Sequence, residues 1–593
     1  MPKIEVNEEA FYGLADPKGR GGAWRADRGA FEEALTCAKA ELDEDAAPDV
    51  PDAERVLKIE LNDTNRPDLW GTAGCARQLR IYQGGGIPAY PFFSTPGKAL
   101  AARHQVIVED TVRKVRPFLA GFVAAGKGIT DAGLRDMIQT QEKLAGNFGR
   151  KRRTISMGLY RIAIIKWPIH YKAVDPDSVS FVPLQWDVPL TLREILKQHP
   201  KGKEYGFIQE HEPLHPLLVD AAGGVLSYPP IINSADLGAV QVGDSDLFVE
   251  ITGTDMPSVT LAASIMACDL ADQGFSIEPV RVDYAYDTPF GRSVVNPLYF
   301  QEPVFCSLAR IEKFLGEKID VDAALAALAR MGVRAEPARG EENGAGALSI
   351  KSDGPVEGVL ARPPEYRNDF LHAADVAEDV MMGRGLASFA PERPKDFTLG
   401  RLSALTLLSR RVKSLMVGLG YQEMIYNYLG SRKDLVEKMR GGGERILRVS
   451  NPMTENYEYV RDSILASLMG TEAVSGGAAY PHKIFETGKV AFKDASDPSG
   501  ARTRQYLGFL HSGADANFNT VAAEMQTLCY YLSKEYQVTE SDDPRFIPGR
   551  AAAVILDGKP AGVFGELHPE VLANWGSTVP AAAAELDLER LLG

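Results

Sequence analysis

The chain has 593 residues, 45% of them hydrophobic and 24% charged, and a net charge of −15. That length is far too great for one core and points to about four domains, while the acidic balance argues against a protein that grips nucleic acid through a broadly basic surface. Five scattered cysteines with no C-x-x-C pair exclude a zinc ribbon or disulfide framework, no glycine-rich phosphate loop occurs, and no apolar run approaches a membrane span. The opening MPKIEVNEEAF lacks an apolar leader, so a cytoplasmic protein is expected.

Pro2–Val6 alternates as a strand, and a helix is expected around Arg28–Glu41, then an acidic, proline-bearing loop from Glu41 to Asp52. Leu57–Leu61 alternates cleanly as a half-buried strand and leads through Asn65-Arg66-Pro67-Asp68-Leu69-Trp70 into a helix toward Gln83. A Gly- and Pro-bearing linker runs from Gly84 to Pro96. Asp131–Phe148 puts Leu134, Met137, Ile138 and Leu144 on one helical face and ends at Arg150-Lys151-Arg152-Arg153. Such a cluster suits a solvated turn or a contact to RNA phosphates.

The chain is organised around His215–Asp255, which reads as three strands. Leu217–Val219 stops at Asp220, Gly223-Gly224 supplies a turn, and Val225-Leu226 restarts an extended segment that Pro229-Pro230 ends. In Leu247–Thr252 alternation places Phe248, Glu250 and Thr252 on one side. A carboxylate and a hydroxyl two residues apart can hold an amine or a phenol and position a water. By spacing alone, a Glu-x-Thr face is more often solvated.

Residues 306–395 look like a repeat of the first domain. Arg66-Pro67-Asp68-Leu69 aligns without gaps on Arg367-Asn368-Asp369-Phe370, Ala73 and Ala76 fall on Ala374 and Ala377, and Gly84 falls on Gly385. In the second copy Asp375, Glu378 and Asp379 share a helical face, with Asp369 just before it. Four carboxylates so placed suit Mg²⁺, or equally an acidic first turn that complements the helix dipole. Beyond Pro394, a long Leu402–Leu419 helix precedes short strands at Glu423–Tyr428, Ile446–Val449, Lys483–Glu486, Leu507–Leu510 and Ala553–Ile555. Helices at Asp462–Met469 and Val521–Lys534 alternate with them, which predicts an antiparallel sheet flanked by helices.

The words "IELNDTNRPDLW", "QEKLAGNFGRKRR", "LSYPPIIN" followed by "EITGTD", and "VSNPMTENYEYVRDSILASLM" stand in one order. Together they resemble the beta subunit of phenylalanyl-tRNA synthetase, and the editing segment resembles its archaeal and eukaryotic form. The resemblance implies an α+β multidomain chain. A small domain (1–95) and a related second one (304–396) flank a mixed α/β editing domain (96–303), and a degenerate class II synthetase-like core closes the chain (397–593).

By the same resemblance the chain scaffolds an alpha subunit in an α₂β₂ assembly, and that subunit forms Phe-tRNA(Phe) from ATP, L-phenylalanine and tRNA(Phe). This chain would hydrolyse mischarged Tyr-tRNA(Phe) with Ser227, Glu250 and Thr252, beside a pocket wall at Leu218 and a rim at Asp255. Glu250 would hold the phenol or the ammonium of tyrosine. Arg150, Lys151, Arg152 and Arg153 would meet tRNA, while Asp369, Asp375, Glu378 and Asp379 would hold Mg²⁺. ATP belongs to the partner, because neither Val460-Arg461-Asp462-Ser463 nor Pro548-Gly549-Arg550 completes a class II ATP motif. The alternative is a purely structural, tRNA-binding subunit with an inactive editing fold.

Overall fold

A computed structural model describes residues 2–16, 21–45, 50–51, 54–63, 65–95, 97–340 and 355–592. Residues 46–49 and 52 of the expected acidic loop lie outside the described residues. The chain forms two compact units, Met1–Glu392 and Arg393–Gly593.

The first unit holds two small three-stranded sheets of the same order. Val56–Leu61 lies between Lys3–Asn7 and Ala40–Glu44, and Val356–Arg362 lies between Val304–Ser307 and Arg334–Gly340. The expected first helix is shorter than its pattern suggested. It covers Arg28–Leu35, capped by Asp27, and Ala40–Glu44 is instead the outer strand. Each middle strand leads to an arginine that clamps an aspartate two residues on and a polar side chain on the following helix. Arg66 donates to both oxygens of Asp68 at 2.8 Å and to Gln78 at 3.2 Å. Arg367 donates to Asp369 at 3.0 and 2.6 Å and to Asp379 at 2.5 and 3.1 Å. Both clamps are buried, and their members match pair by pair in the gap-free alignment.

Between these small sheets in sequence lies a ten-stranded sheet. From one edge it runs Ile232–Asn233, Val225–Tyr228, His215–Val219, Ile169–Val174, His104–Val108, Ser276–Tyr284, Phe118–Ala125, Leu247–Gly253 and Ile155–Arg161, with Ser293–Asn296 paired to Ser276–Tyr284. The three strands expected from one stretch of sequence are therefore not neighbours. The first two form a hairpin, while Leu247–Gly253 pairs with Phe118–Ala125 and Ile155–Arg161 near the opposite edge. All seven of its residues are buried. Its apolar side chains Leu247, Val249 and Ile251 pack with the Met256–Asp272 helix, which explains why the strand sits there.

The second unit holds a small three-stranded sheet, in the order Leu429–Gly430, Tyr459–Val460 and Leu447–Arg448, and a seven-stranded one. Its order is Gln422–Glu423, His482–Lys493, Ala501–Ser512, Ala581–Asp587, Lys559–Leu567, Phe546–Leu556 and Gln537–Glu540, antiparallel except for the first pair. Helices Ala404–Gly418 and Phe518–Leu532 pack through Val412, Met416, Val521 and Met525 into one core, and Leu465–Val474 and Pro569–Trp575 pack into another. No helix among the described residues is long and apolar enough to cross a membrane.

Candidate functional site

The sheet curls so that its two ends reach one cleft of about 300 Å³, lined among others by Ser156, Tyr160, Ser227, Pro230, Arg152 and Glu250. Glu250 is 2% exposed, so the expected solvated face is a buried one. Opposite it on the neighbouring strand stands Gly158. A Cβ there would lie 2.2 Å from the Tyr160 hydroxyl and 2.7 Å from Glu250 Oε2, so only glycine leaves room for the two to meet. The Tyr160 hydroxyl bridges the sheet ends, lying 2.9 Å from Glu250 Oε2 and 2.8 Å from Ser227 Oγ. Glu250 Oε1 has no hydrogen-bond partner among the described residues. A buried acceptor left open at a cleft is what a ligand's donor would complete.

Burial pushes the Glu250 carboxyl up to about 7, against the hydrogen bond from Tyr160, the nearby Thr252 hydroxyl and the charge of Arg116, which pull it down. Folding therefore holds a proton on Glu250 between its ordinary range and pH 7, and the stability of this region falls as pH rises through that window. Glu250→Gln removes the penalty. The variant is expected to gain up to about 3 kcal/mol at pH 8 and nothing near pH 4.5, read by hydrogen exchange of this strand at the two pH values.

Thr252 is fully buried and belongs to a second cluster. Its hydroxyl lies 3.0 Å from Ser156 Oγ and accepts from Arg116 Nε at 3.1 Å. Arg116 also donates to Ser156 Oγ at 3.1 Å and to the Thr252 carbonyl at 2.7 Å, and its second terminal nitrogen reaches the Arg152 and Arg153 carbonyls at 3.2 Å each. This guanidinium is buried with no carboxylate bonded to it among the described residues, and burial lowers its pKa to about 10. Sequence reasoning missed Arg116, Ser156 and Tyr160. The one signal for them was Gly158, a glycine inside a strand, which often marks a close approach.

Two expected pocket residues stand elsewhere. Leu218 is fully buried in the core beside Val106, Leu226 and Phe248 and is absent from the cleft wall. Asp255 caps the Met256–Asp272 helix, accepting from the Ser258 N–H at 2.9 Å, and lines a different cavity with Lys143 and Arg150. His215 is structural, with its Nδ1 2.6 Å from the Tyr228 hydroxyl and its ring stacked on that tyrosine.

The basic cluster divides. Arg150, Lys151 and Arg152 all take the left-handed conformation, with φ of 50°, 55° and 64°. That strained turn is held by the Lys151 and Arg152 N–H groups on the Gly146 and Ala145 carbonyls, at 2.7 and 2.8 Å. It folds Arg152 back to donate to the Pro230 and Ile231 carbonyls at 3.1 Å each and to Glu142 at 2.7 Å. Arg153 stacks over Phe207 at 4.9 Å. Arg150 and Lys151 remain exposed, without an ion-pair partner among the described residues.

Of the four carboxylates of the second small domain, Asp369, Glu378 and Asp379 line one small cavity with Lys39, Arg66 and Arg367, and Asp375 does not. Asp369 and Asp379 share Arg367, Asp375 accepts from the Leu371 and His372 N–H groups at 2.8 and 2.7 Å, and Glu378 takes Lys39 at 2.5 Å. No group of three or more His, Cys, Asp or Glu side chains able to hold a metal occurs among the described residues. These residues do not fit Mg²⁺ as arranged, because a guanidinium already supplies the positive charge. In the C-terminal unit Arg461 is fully buried against Glu486 at 2.6 Å, and Arg550 pairs with Glu566 at 2.7 Å. Arg461 is committed to that pair and shut from solvent, while Arg550 is exposed and held only by a surface ion pair.

Residues 392–588 match the family model for the phenylalanyl-tRNA synthetase beta chain CLM domain, and residues 304–386 match the tRNA synthetase B5 domain. The phenylalanine–tRNA ligase beta subunit of Treponema pallidum is 44% identical over the full length of both chains. The chain belongs to the phenylalanine–tRNA ligase beta subunits. The corresponding beta subunit of Borreliella burgdorferi is 43% identical, again over all of both chains. An N-terminal fragment of the Pyrococcus horikoshii phenylalanyl-tRNA synthetase beta subunit, a solved structure, covers 65% of this chain and all of its own, with TM-score 0.55 and 31% identity. The full-length relatives are bacterial, so an archaeal and eukaryotic type is not supported for this beta subunit. Membership makes it a subunit of an aminoacyl-tRNA synthetase, with a mixed α+β, multidomain fold.

Proposed function

We propose that this beta subunit works with an alpha subunit that charges tRNA(Phe) with phenylalanine using ATP, and that its own cleft removes tyrosine attached in error. The open Glu250 Oε1 carries the reading. Tyrosine differs from phenylalanine by a hydroxyl, and an apolar synthetic site rejects an added hydroxyl only about a hundredfold. A buried acceptor with one oxygen satisfied by Tyr160 and the other open gains a hydrogen bond from a phenol that phenylalanine cannot give. Glu250 equally suits the ammonium, which both amino acids carry.

Among the described residues no histidine is hydrogen-bonded to Glu250 or Thr252, so no strong base is at hand there. Water attacks the ester carbonyl, positioned by Ser227 and by the Ser156 hydroxyl, which Thr252 and Arg116 orient from behind the cleft wall. The carbonyl–ribose bond then breaks, and the proton from water ends on the departing tRNA hydroxyl. Arg150 and Lys151 meet the tRNA backbone in this reading, supported by their exposure, whereas Arg152 shapes the cleft. The test is tyrosine release from Tyr-tRNA(Phe) by the assembled protein. Slow release that Glu250 and Thr252 variants leave unchanged, with phenylalanine charging intact, would make the chain a structural subunit.

The scaffolding role draws on the C-terminal unit. Its Ala404–Gly418 helix buries Val412 and Met416 but leaves Leu407 and Val417 55% and 60% exposed, and Ile425 nearby in sequence is 88% exposed. Exposed apolar side chains in such number mark a protein contact. Leu407→Glu with Val417→Asp is expected to weaken assembly with the alpha subunit at least tenfold, read by sedimentation, and to leave the circular dichroism of the chain unchanged. Full assembly of that double variant would move the contact elsewhere.

A further inference from the structure

The C-terminal sheet has a second buried polar face. Ala581–Asp587 is buried along all seven residues, yet Glu585 and Asp587, two apart and so on one face, are 5% and 8% exposed. Asp587 lies opposite Tyr506 on the neighbouring strand. Buried carboxylates are costly unless bonded or paired, and these line a cavity of about 700 Å³ belonging wholly to this unit.

Most charges on its wall are neutralised internally. Glu585 accepts from Ser463 Oγ at 2.9 Å, the Ile464 N–H at 2.6 Å and Arg545 at 3.0 Å. Arg545 also pairs with Asp543 at 2.6 Å, Arg502 pairs with Asp494 at 2.7 Å, and Arg504 pairs with Glu589. The Asp462 carboxylate, the Arg445 guanidinium and the Tyr506 hydroxyl receive no hydrogen bond or ion pair from another side chain among the described residues, and Arg445 lies flat over Phe492 at 4.0 Å. Burial pushes the Asp462 carboxyl up, as does the nearby Glu585, while Arg545 and Arg445 pull it down. Leu435, Val436 and Met439 supply an apolar stretch of wall.

We propose that this cavity binds a free α-amino acid with an apolar side chain, its ammonium on Asp462 and its carboxylate on Arg445 and the Tyr506 hydroxyl. Arg445 is the uncommitted cation, and Asp462 is an uncommitted anion beside the exposed Glu444 on the same wall; Arg445 with Asp462 matches a zwitterion. A polyphosphate would need several uncommitted cations, and the other arginines here are already paired. The site is separate from the Glu250 cleft and does not depend on its activity.

The probe is L-leucine, titrated into the full chain assembled with its partner and followed by calorimetry and saturation-transfer NMR. Saturable binding is expected, weakened at least tenfold by Asp462→Asn and by Arg445→Gln, the loss of one charge-assisted hydrogen bond each. N-acetyl-L-leucine and L-leucinamide, each lacking one charge, should lose as much. Neither variant breaks a side-chain hydrogen bond or ion pair among the described residues, so their thermal midpoints should fall by no more than about 2–4 °C, the loss of the Arg445–Phe492 contact included. Absence of saturable leucine binding up to about 10 mM overturns the proposal. So does binding that neither variant changes, or ATP taking the site through Arg445 with leucine excluded.

Discussion

Glu250→Gln is expected to lower kcat/KM for tyrosine release from Tyr-tRNA(Phe) by about 10- to 150-fold, the worth of one hydrogen bond to a charged group. Phenylalanine charging by the same assembly should be untouched. Glu250→Ala should cost more, since it also strands the Tyr160 hydroxyl that Oε2 accepts from. Tyr160→Phe separates recognition from folding. The Tyr160 hydrogen bond pulls the Glu250 pKa down, so removing it moves that pKa further above about 7. A reaction that needs the carboxylate should then lose rate at pH 7 and regain it toward pH 8, a shift that a merely loosened cleft would not produce. Thr252→Val, which keeps the shape and removes the hydroxyl shared with Ser156 and Arg116, should reduce turnover rather than KM. Equal, slow release from wild type and all variants would remove hydrolysis from this cleft.

How far the sequence anticipates this site depends on the range over which each feature is determined. Local pattern finds Val56–Leu61, the hairpin of His215–Val219 and Val225–Tyr228, and the Asp131–Lys143 helix, because period and turn residues decide these within a dozen positions. It does not find that Leu247–Gly253 pairs far from that hairpin, because strand order depends on the helix covering it. Ala581–Asp587 is the sharper case. AAAAELD has helical propensity, yet it is a central strand, where small side chains allow the flanking helices close approach. Glu250, Thr252 and Ser227 come from resemblance in sequence, and the structure brings Ser227 and Glu250 together through a tyrosine that no motif names. Arg116 is silent in sequence because its partners are backbone carbonyls and hydroxyls from distant strands. The acidic quartet misleads for a related reason: its spacing is right for shared ligation, but Arg367 lies two residues before the first of the four and takes two of them.

Arg367→Met tests that arrangement and should be the most destabilising single change in the second small domain. Against the burial that would raise it, Arg367 holds the Asp369 carboxyl down at about 2, and Asp379 is buried on the same guanidinium. Removing the cation leaves two buried carboxylates without a bonded partner, with only the more distant charge of Arg66 acting on them, at a cost of about 3–5 kcal/mol. Hydrogen exchange in the Ala373–Arg384 helix of the full chain is the readout, since it isolates this region from the other unit. In the wild type, stability from Asp369 is fully present above its ordinary range and is lost as pH falls toward about 2. In the variant the sign reverses: carboxyls without a cation prefer their protonated forms, so protection should recover as pH is lowered from 7 to 5. Adding Asp369→Asn and Asp379→Asn to Arg367→Met should recover it at pH 7 as well, because the triple variant buries no charge there. EDTA should leave wild-type protection unchanged. Loss of protection in EDTA, restored by Mg²⁺, would instead place a metal among Asp369, Asp375, Glu378 and Asp379 and make the arginine clamp secondary.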